Sequence, residues 1–307
     1  MESNPGSAPM STAPMNEERV ARVADSYGPE VLPPDSGYTV RQPVRRRRRA
    51  TFFAKYLLVG INVAVYLAMV MSHVSATLPT VRQIIFWGAD NAGLVLYFGQ
   101  WWRIVTAMFV HVGILHIGLN MWCLWALADL AEPVMGSVGL IAVYLLTGAA
   151  GDLLSTLVNW WWYLPDWQRY HTIAVFPVGA GASGAVFGIA GALIVLLKSQ
   201  RLPVPQPELK RIRRSVIYFA GINLVLGFSI NVGTRVIGSG ISVDNMAHLG
   251  GFLCGLLFAL PMVPRLGSSR ELFRTRLAWA TAMVAGILVL FGYYLSVVTG
   301  VRAPLHV

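Results

Sequence analysis

One serine stands out because small residues surround it on both sides. Ser183 lies in the stretch FPVGAGASGAVFGIAGA, residues 176–192, which continues directly into the apolar run LIVLL. A serine hydroxyl becomes a nucleophile when a neighbouring base accepts its proton, and a neutral histidine can be that base. His248, in the stretch DNMAHLGGFLCGLLF, is the candidate base. Such a pair would perform acyl transfer.

The serine does not fit the nucleophile elbow of soluble α/β hydrolases. That motif requires glycine two residues before and two residues after the serine, and residue 185 is alanine. The chain also has little of the alternating strand and helix pattern in which the elbow occurs. Ser183 is therefore better explained by a membrane environment than by a soluble hydrolase fold.

Glycines accompany both candidate residues at helical spacing. His248, Gly251 and Gly255 follow the three-and-four spacing of one helix face, and the two glycines form a GxxxG pair. Such pairs let another helix backbone approach closely. The segment after Ser183 offers a matching face: Gly184, Gly188 and Gly191. Contact between the two glycine faces would bring His248 within hydrogen-bond reach of Ser183.

A third polar cluster is the stretch HVGILHIGLNMW. His116 and Asn120 are four residues apart and share a helix face, whereas His111, five residues earlier, is predicted to point well away from them. A metal site is disfavoured, because the stretch has no HExxH pattern, no carboxylate on that face and no cysteine pair. Hydrogen bonding between helices is the alternative for this cluster taken alone.

The composition indicates a membrane protein. Of 307 residues, 55% are hydrophobic and only 12% are charged, about half the charged share of a soluble domain. The formal charge of +10 does not indicate nucleic-acid binding, because the basic residues cluster beside apolar segments. Both cysteines, Cys123 and Cys254, lie within apolar runs and are predicted to be core residues.

The chain divides into three parts. Residues 1–50 are predicted to be a disordered tail that ends in the basic run 45–49. Residues 51–263 are predicted to form a core of six spans, and residues 264–307 a linker with a seventh span. The spans are predicted at about 51–72, 114–130, 138–158, 182–197, 215–231, 244–263 and 277–298.

The basic loops predict the orientation of these spans. Residues 198–214 and 264–276 are rich in Lys and Arg, whereas the long loop 73–113 and the loop 159–181 carry few. The positive-inside rule places the first two loops and the N-terminus in the cytoplasm, and the C-terminus outside. The predicted location is the cell membrane, with several crossings.

The fourth span is short. Its 16 residues would reach only about 24 Å, less than the roughly 30 Å of the hydrocarbon layer. Because Lys198 holds its cytoplasmic end, Ser183 is predicted to lie below the outer surface. Exposed backbone cannot lie in lipid, so the segment before the serine must line a polar cavity enclosed by protein.

Together these motifs resemble the rhomboid intramembrane serine proteases of bacterial type, with six plus one helices. The matching motifs follow in family order: WR at 102–103, H-x4-H-x3-N at 111–120, E-x3-G at 132–136, GASG at 181–184 and AHLGG-x3-G at 247–255. The resemblance covers about residues 55–263. It implies an all-α polytopic helical bundle of seven transmembrane helices with a long outer first loop.

The resemblance also implies roles for individual residues. It makes Ser183 the nucleophile and His248 its general base, and places His116, Asn120 and the Ser183 backbone N–H at the oxyanion. Gly181, Gly184, Gly251 and Gly255 would shape the site or pack its helices. Phe187 is a departure, since some members have tyrosine there, but a phenyl ring can still pack against the imidazole.

The resulting hypothesis is an intramembrane serine endopeptidase that cleaves single-span membrane proteins in the bilayer near the outer leaflet. The chemistry requires neither a cofactor nor a metal, and no nucleic-acid partner is expected. The alternatives are a catalytically inactive scaffold or chaperone of the same family, and a transporter. The sequence leaves the oligomeric state open.

Overall fold

Helices form nearly all the regular structure of residues 52–198, 205–237, 243–265 and 269–299, which are the residues that the computed structural model describes. They belong to one unit, Ala50–Val307. The all-α fold class is therefore confirmed. The predicted tail, residues 1–50, lies outside the described residues.

The predicted spans coincide largely with helical residues, while two further short helices lie in the predicted loop 73–113. The helices are α1 (Ala54–Met71), α2 (Val81–Phe86), α3 (Arg103–Thr106), α4 (Ile114–Tyr170), α5 (Ser183–Leu196), α6 (Gln206–Ile237), α7 (Asn245–Ala259) and α8 (Arg270–Val298). Within the described residues, α1, α4, α7 with the turn after it, and α8 are each long and apolar enough to cross a membrane, and α5 is a shorter apolar helix. The exact number of crossings stays a prediction.

Helix α4 contains the predicted second and third spans, 114–130 and 138–158, as two helical segments that meet at a kink between them. The helical conformation breaks only at Gly136, with φ 77° and ψ 166°, a conformation that favours glycine. Glu132 lies beside this break and accepts hydrogen bonds from the backbone N–H of Ala54 (2.7 Å) and from the Ser137 hydroxyl (2.6 Å). Its carboxylate thereby ties the start of α1 to the break in α4.

The long loop between α1 and α4 is held by the buried side chain of Arg103. Its guanidinium donates to the carbonyl oxygens of Ile85 (2.7 Å) and Ala89 (2.8 Å), and to the side chain of Gln100 (2.7 Å). The loop also supplies strand β1 (Asp90–Asn91), which pairs antiparallel with β2 (Val178–Gly179) in the register Asp90 to Gly179. This strand pair attaches the loop to the segment that precedes Ser183.

Helix α5 lies at the centre of the described helices. Every residue from Gly184 to Leu193 is buried, as expected for a helix that is apolar on all sides. Helices α4 and α7 pack against it. By contrast, only 11% of the most apolar stretch of α8 is buried, so this helix lies at the periphery. The central position of α5 fixes the place of Ser183 relative to both neighbours.

Candidate active site

Ser183 is the first residue of α5, and the backbone before it is held in place by the loop. The N–H of Gly181 donates to the carbonyl oxygen of Ala107 (2.9 Å). Gly181 has φ 118°, a backbone conformation that residues with side chains rarely adopt. The first N–H groups of a helix have no acceptor within the helix, so the N–H of Ser183 is available to a ligand.

The glycine faces of α5 and α7 are in direct backbone contact. A methyl group on Gly251 would lie 2.0 Å from the carbonyl oxygen of Gly184, and one on Gly255 would lie 2.0 Å from that of Gly188. Neither position has room for a side chain. This contact joins the two helices that carry Ser183 and His248.

His248 is 7% exposed and stacks on Phe187. The two ring centroids are 4.4 Å apart, and the planes differ by 10°. The imidazole Nδ1 is buried and has no hydrogen-bond partner among the described residues. The stack therefore fixes the plane of the imidazole without any bond at Nδ1, and a phenyl ring suffices for this packing.

Asp244 serves as the N-cap of α7, as its position before the helix suggests. Its carboxylate accepts from the N–H of Ala247 (2.9 Å) and from the hydroxyl of Ser155 (2.5 Å). Both carboxylate oxygens thus have donors other than His248, whose Nδ1 has no partner among the described residues. The geometry therefore favours a pair of catalytic residues rather than a triad.

His116 and Asn120 lie against Gly181. A methyl group on Gly181 would lie 2.8 Å from His116 Nε2 and 3.7 Å from Asn120 Nδ2. The N–H of Val112 donates to His116 Nδ1 (3.3 Å), so a neutral His116 ring carries its proton on Nε2. Its N–H and the amide of Asn120 are thus donors beside the segment that leads to Ser183.

The prediction that His111 points away from this cluster is wrong. It assumed one continuous helix through residues 111–120, whereas α4 begins only at Ile114, after Gly113 with φ 108°. His111 is fully buried, and its ring centroid is 5.2 Å from that of His116. The glycine that precedes the helix is the sequence signal for this change of direction.

His111 holds the backbone next to Ser183. Its Nε2 accepts from the N–H of Ala182 (3.5 Å), while Nδ1 lies 3.2 Å from the carbonyl oxygen of Phe109 and donates to it. Burial, with a smaller contribution from His116, lowers the pKa of His111 to about 3. The ring is therefore neutral and can accept at Nε2.

Replacing Gly181 with alanine is expected to reduce activity by about 10²-fold or more, because displacing the reacting groups by about 1 Å has an effect of this size. The new methyl group would collide with the ring of His116, 2.7 Å away, at a backbone position that already strains any side chain. Cleavage rates of purified variants would test this. Gly118→Ala is the matched control, since nothing lies within 4 Å of that position. Equal rates for both variants would contradict the expectation.

Comparison with known proteins assigns this arrangement to a family. A family model described as the rhomboid domain matches residues 98–265, more than half of the chain. The chain belongs to the rhomboid family. This rhomboid is therefore a multi-pass membrane protein, and its family is one of intramembrane proteases that act on transmembrane substrates.

Several curated relatives are rhomboid proteins. Rhomboid protease GluP of Bacillus subtilis is 27% identical over 274 residues, which are 87% of this chain and 45% of the relative. Rhomboid protease AarA of Providencia stuartii is 29% identical over 67% of this chain and 71% of its own length. RHOMBOID-like protein 7 of Arabidopsis thaliana is 31% identical over 55% of this chain and 45% of its own length. The chain thus matches less than half of the length of two of these three relatives.

Proposed function

We propose that this rhomboid is an active serine endopeptidase that cleaves the transmembrane helices of single-span membrane proteins near the outer leaflet. The observation that supports this most is the backbone contact between Gly184 and Gly251. It joins the start of α5, which carries Ser183, to the helix that carries His248. The hydrogen bond between the two side chains belongs to the proposal, since such bonds often tighten only when substrate is bound.

In the proposed reaction, His248 takes the proton of Ser183 while Oγ attacks the carbonyl carbon of the scissile peptide bond. The developing oxyanion accepts hydrogen bonds from His116 Nε2–H, Asn120 Nδ2–H and the N–H of Ser183. When the C–N bond breaks, the imidazolium returns its proton to the leaving amine. Water then hydrolyses the acyl-enzyme by the same two steps and regenerates Ser183.

The proposed substrate is a helix that can be unwound locally. A regular helix keeps its carbonyl groups in hydrogen bonds, so a helix-weakening Gly or Pro near the cut would favour cleavage. Small residues are expected at the cut, because Phe187 stacks on the ring of the proposed base His248 and Gly184, next to Ser183, is in backbone contact with α7. Co-expression with single-span proteins that differ only in these residues would test the preference. Equal cleavage of a substrate without Gly or Pro would argue against it.

The proposed location is the plasma membrane, with the N-terminus in the cytoplasm and the C-terminus outside. The basic residues of 198–214 and 264–276 support this orientation. Labelling of single introduced cysteines from each side would test it. A C-terminal cysteine that reacts only from the cytoplasm would contradict it.

A fluorophosphonate probe tests the proposed activity without knowledge of the substrate. The nucleophilic oxygen of Ser183 would form a bond to phosphorus and release fluoride, so the intact protein should be labelled. Ser183→Ala should not be labelled, and His248→Ala should be labelled far more slowly. No labelling of the unaltered protein would favour the inactive scaffold.

Asn120→Ala is expected to retain some activity, with a loss of roughly 10²–10³-fold at most, as for one oxyanion donor. The loss should appear in kcat, because the donor acts mainly on the developing charge. Asn223→Ala is a suitable control, since Asn223 makes the same kind of bond to the carbonyl four residues earlier as Asn120 does. A complete loss in Asn120→Ala alone would show that this residue does more than stabilise the oxyanion.

A further inference from the structure

Three acidic side chains lie near the strand pair that leads to Ser183. They are Asp90 in β1, Asp152 in α4 and Asp244 at the start of α7. Asp90 and Asp152 are 3% and 7% exposed. A buried carboxylate is costly unless it is paired or protonated. The described residues include no group of side chains arranged to hold a metal ion, so the neutralising species to consider here is a proton.

Gly179 lies between two of these carboxyl groups. A methyl group on Gly179 would lie 3.3 Å from Asp244 Oδ2, 3.5 Å from Asp90 Cβ and 3.7 Å from Asp90 Oδ2. The two acids therefore both lie next to strand β2. Asp90 belongs to the long loop, and Asp244 stands directly before helix α7. Gly179 precedes Ser183 by four residues, and Asp244 precedes His248 by four.

The hydrogen bonds distinguish the two acids. The carboxylate of Asp244 accepts hydrogen bonds from the hydroxyl of Ser155 and from the N–H of Ala247. Hydrogen bonds of this kind stabilise the charged form of a carboxyl group. Among the side-chain donors of the described residues, Asp90 accepts a hydrogen bond only from the Thr156 hydroxyl, at Oδ2 (2.8 Å). Its Oδ1 is buried and has no partner among the described residues. Asp244 is thus the charged member and Asp90 the member that holds a proton.

The surroundings of Asp152 and Arg103 are consistent with a proton on Asp90. Asp152 also has a buried oxygen, Oδ2, that has no partner in the described part of the chain. Arg103 favours the charged form of Asp90, but its N–H groups are donated to Ile85, Ala89 and Gln100. Burial chiefly, and then the charge of Asp244, raise the pKa of Asp90 to about 7, against the opposing effects of the Thr156 hydroxyl, the Asn91 backbone N–H and Arg103.

We infer that a proton on Asp90 positions the active site, because it lets the loop, strand β2 and the start of α7 pack together around Gly179. Loss of this proton would place a second negative charge beside Asp244. The resulting repulsion would separate β1 from β2 and move Ser183 relative to His248. Asp90 is in this sense a positioning residue, and the inference rests on the proposed protease activity.

The test is the pH dependence of cleavage by the purified 307-residue protein in liposomes. We expect kcat of the unaltered protein to fall by about tenfold between about pH 6 and about pH 9 as Asp90 ionises. Asp90→Asn cannot ionise and should keep its kcat over this range. Thr156→Val removes a bond that favours the charged form, so it should move the fall to higher pH. A purely structural role for Thr156 would not predict this direction.

Asp166→Asn is the matched control, because Asp166 is an exposed carboxylate on α4, and it should retain the profile of the unaltered protein. The inference would be overturned by an equal fall in Asp90→Asn, or by no fall in the unaltered protein. Absence of both cleavage and fluorophosphonate labelling at every pH would instead refute the proposed protease activity.

Thermal unfolding tests the proton on Asp90 independently of activity. The pKa of Asp90 is higher in the folded protein than the ordinary aspartate value, so only the folded protein holds this proton between about pH 4 and about pH 7. Its contribution to stability is complete below about pH 4 and is lost as the pH rises to about 7. The melting temperature of Asp90→Asn should therefore fall less over this range than that of the unaltered protein. Equal falls would overturn the inference.

Discussion

Replacing Ser183 or His248 with alanine is expected to abolish cleavage, with losses on the order of 10⁶-fold for each variant. In the proposed reaction Ser183 supplies the nucleophile and His248 accepts its proton, so neither can act alone. The double variant should be little worse than either single variant, because the two residues act as one unit. Cleavage of a single-span substrate by purified variants would measure these losses.

The same variants should remain folded and inserted, since neither change adds volume to the glycine contact. Ser215→Ala is a suitable control for the loss of a hydroxyl, because the Ser215 hydroxyl donates within its own helix α6, to the carbonyl of Arg211 (3.2 Å). Residual cleavage in Ser183→Ala, or additive losses in the double variant, would refute the proposed pair.

Gly251→Ala is expected to have the largest effect on stability, with a loss on the order of 3 kcal/mol. The added methyl group would lie 2.0 Å from the carbonyl oxygen of Gly184 and 3.1 Å from that of Thr147. Both neighbours are backbone atoms of packed helices, so no side-chain rotation can relieve the overlap. Chemical or thermal unfolding in detergent would measure the loss.

Gly286→Ala provides the comparison for this change. Gly286 is also a glycine within a helix, but nothing lies within 4 Å of the added methyl group. Its replacement should leave stability unchanged or raise it slightly, because alanine has the higher helix propensity. Equal stability of the two variants would show that the helices α5 and α7 can separate enough to accept the methyl group on Gly251.

The helices of this protein could be predicted because they depend on local patterns. Apolar runs of sufficient length and the spacing of Gly184, Gly188, Gly251 and Gly255 are visible in the sequence, and they predict both the helices and the face on which two of them meet. The N-cap role of Asp244 depends on a local rule of the same kind, because aspartate is favoured directly before the first residue of a helix.

The features that could not be predicted depend on contacts between distant segments. His111 contacts the backbone of Ala182, 71 positions away, only because the chain turns at Gly113 before α4 begins. The pairing of Asp90 with Gly179 joins two-residue strands, which are too short to give an alternating pattern. No local rule indicates which distant segments such short elements will meet.

The contact between α5 and α7 also limits how this rhomboid can diversify. Because carbonyl oxygens face glycines there, the relative placement of the two helices is set by main-chain atoms, which are the same in every amino acid. Substitution at these positions can only disturb the placement and cannot adjust it gradually. If the proposed protease acquires new substrate preferences, they must therefore arise in residues outside this contact, while the proposed reaction is inherited unchanged.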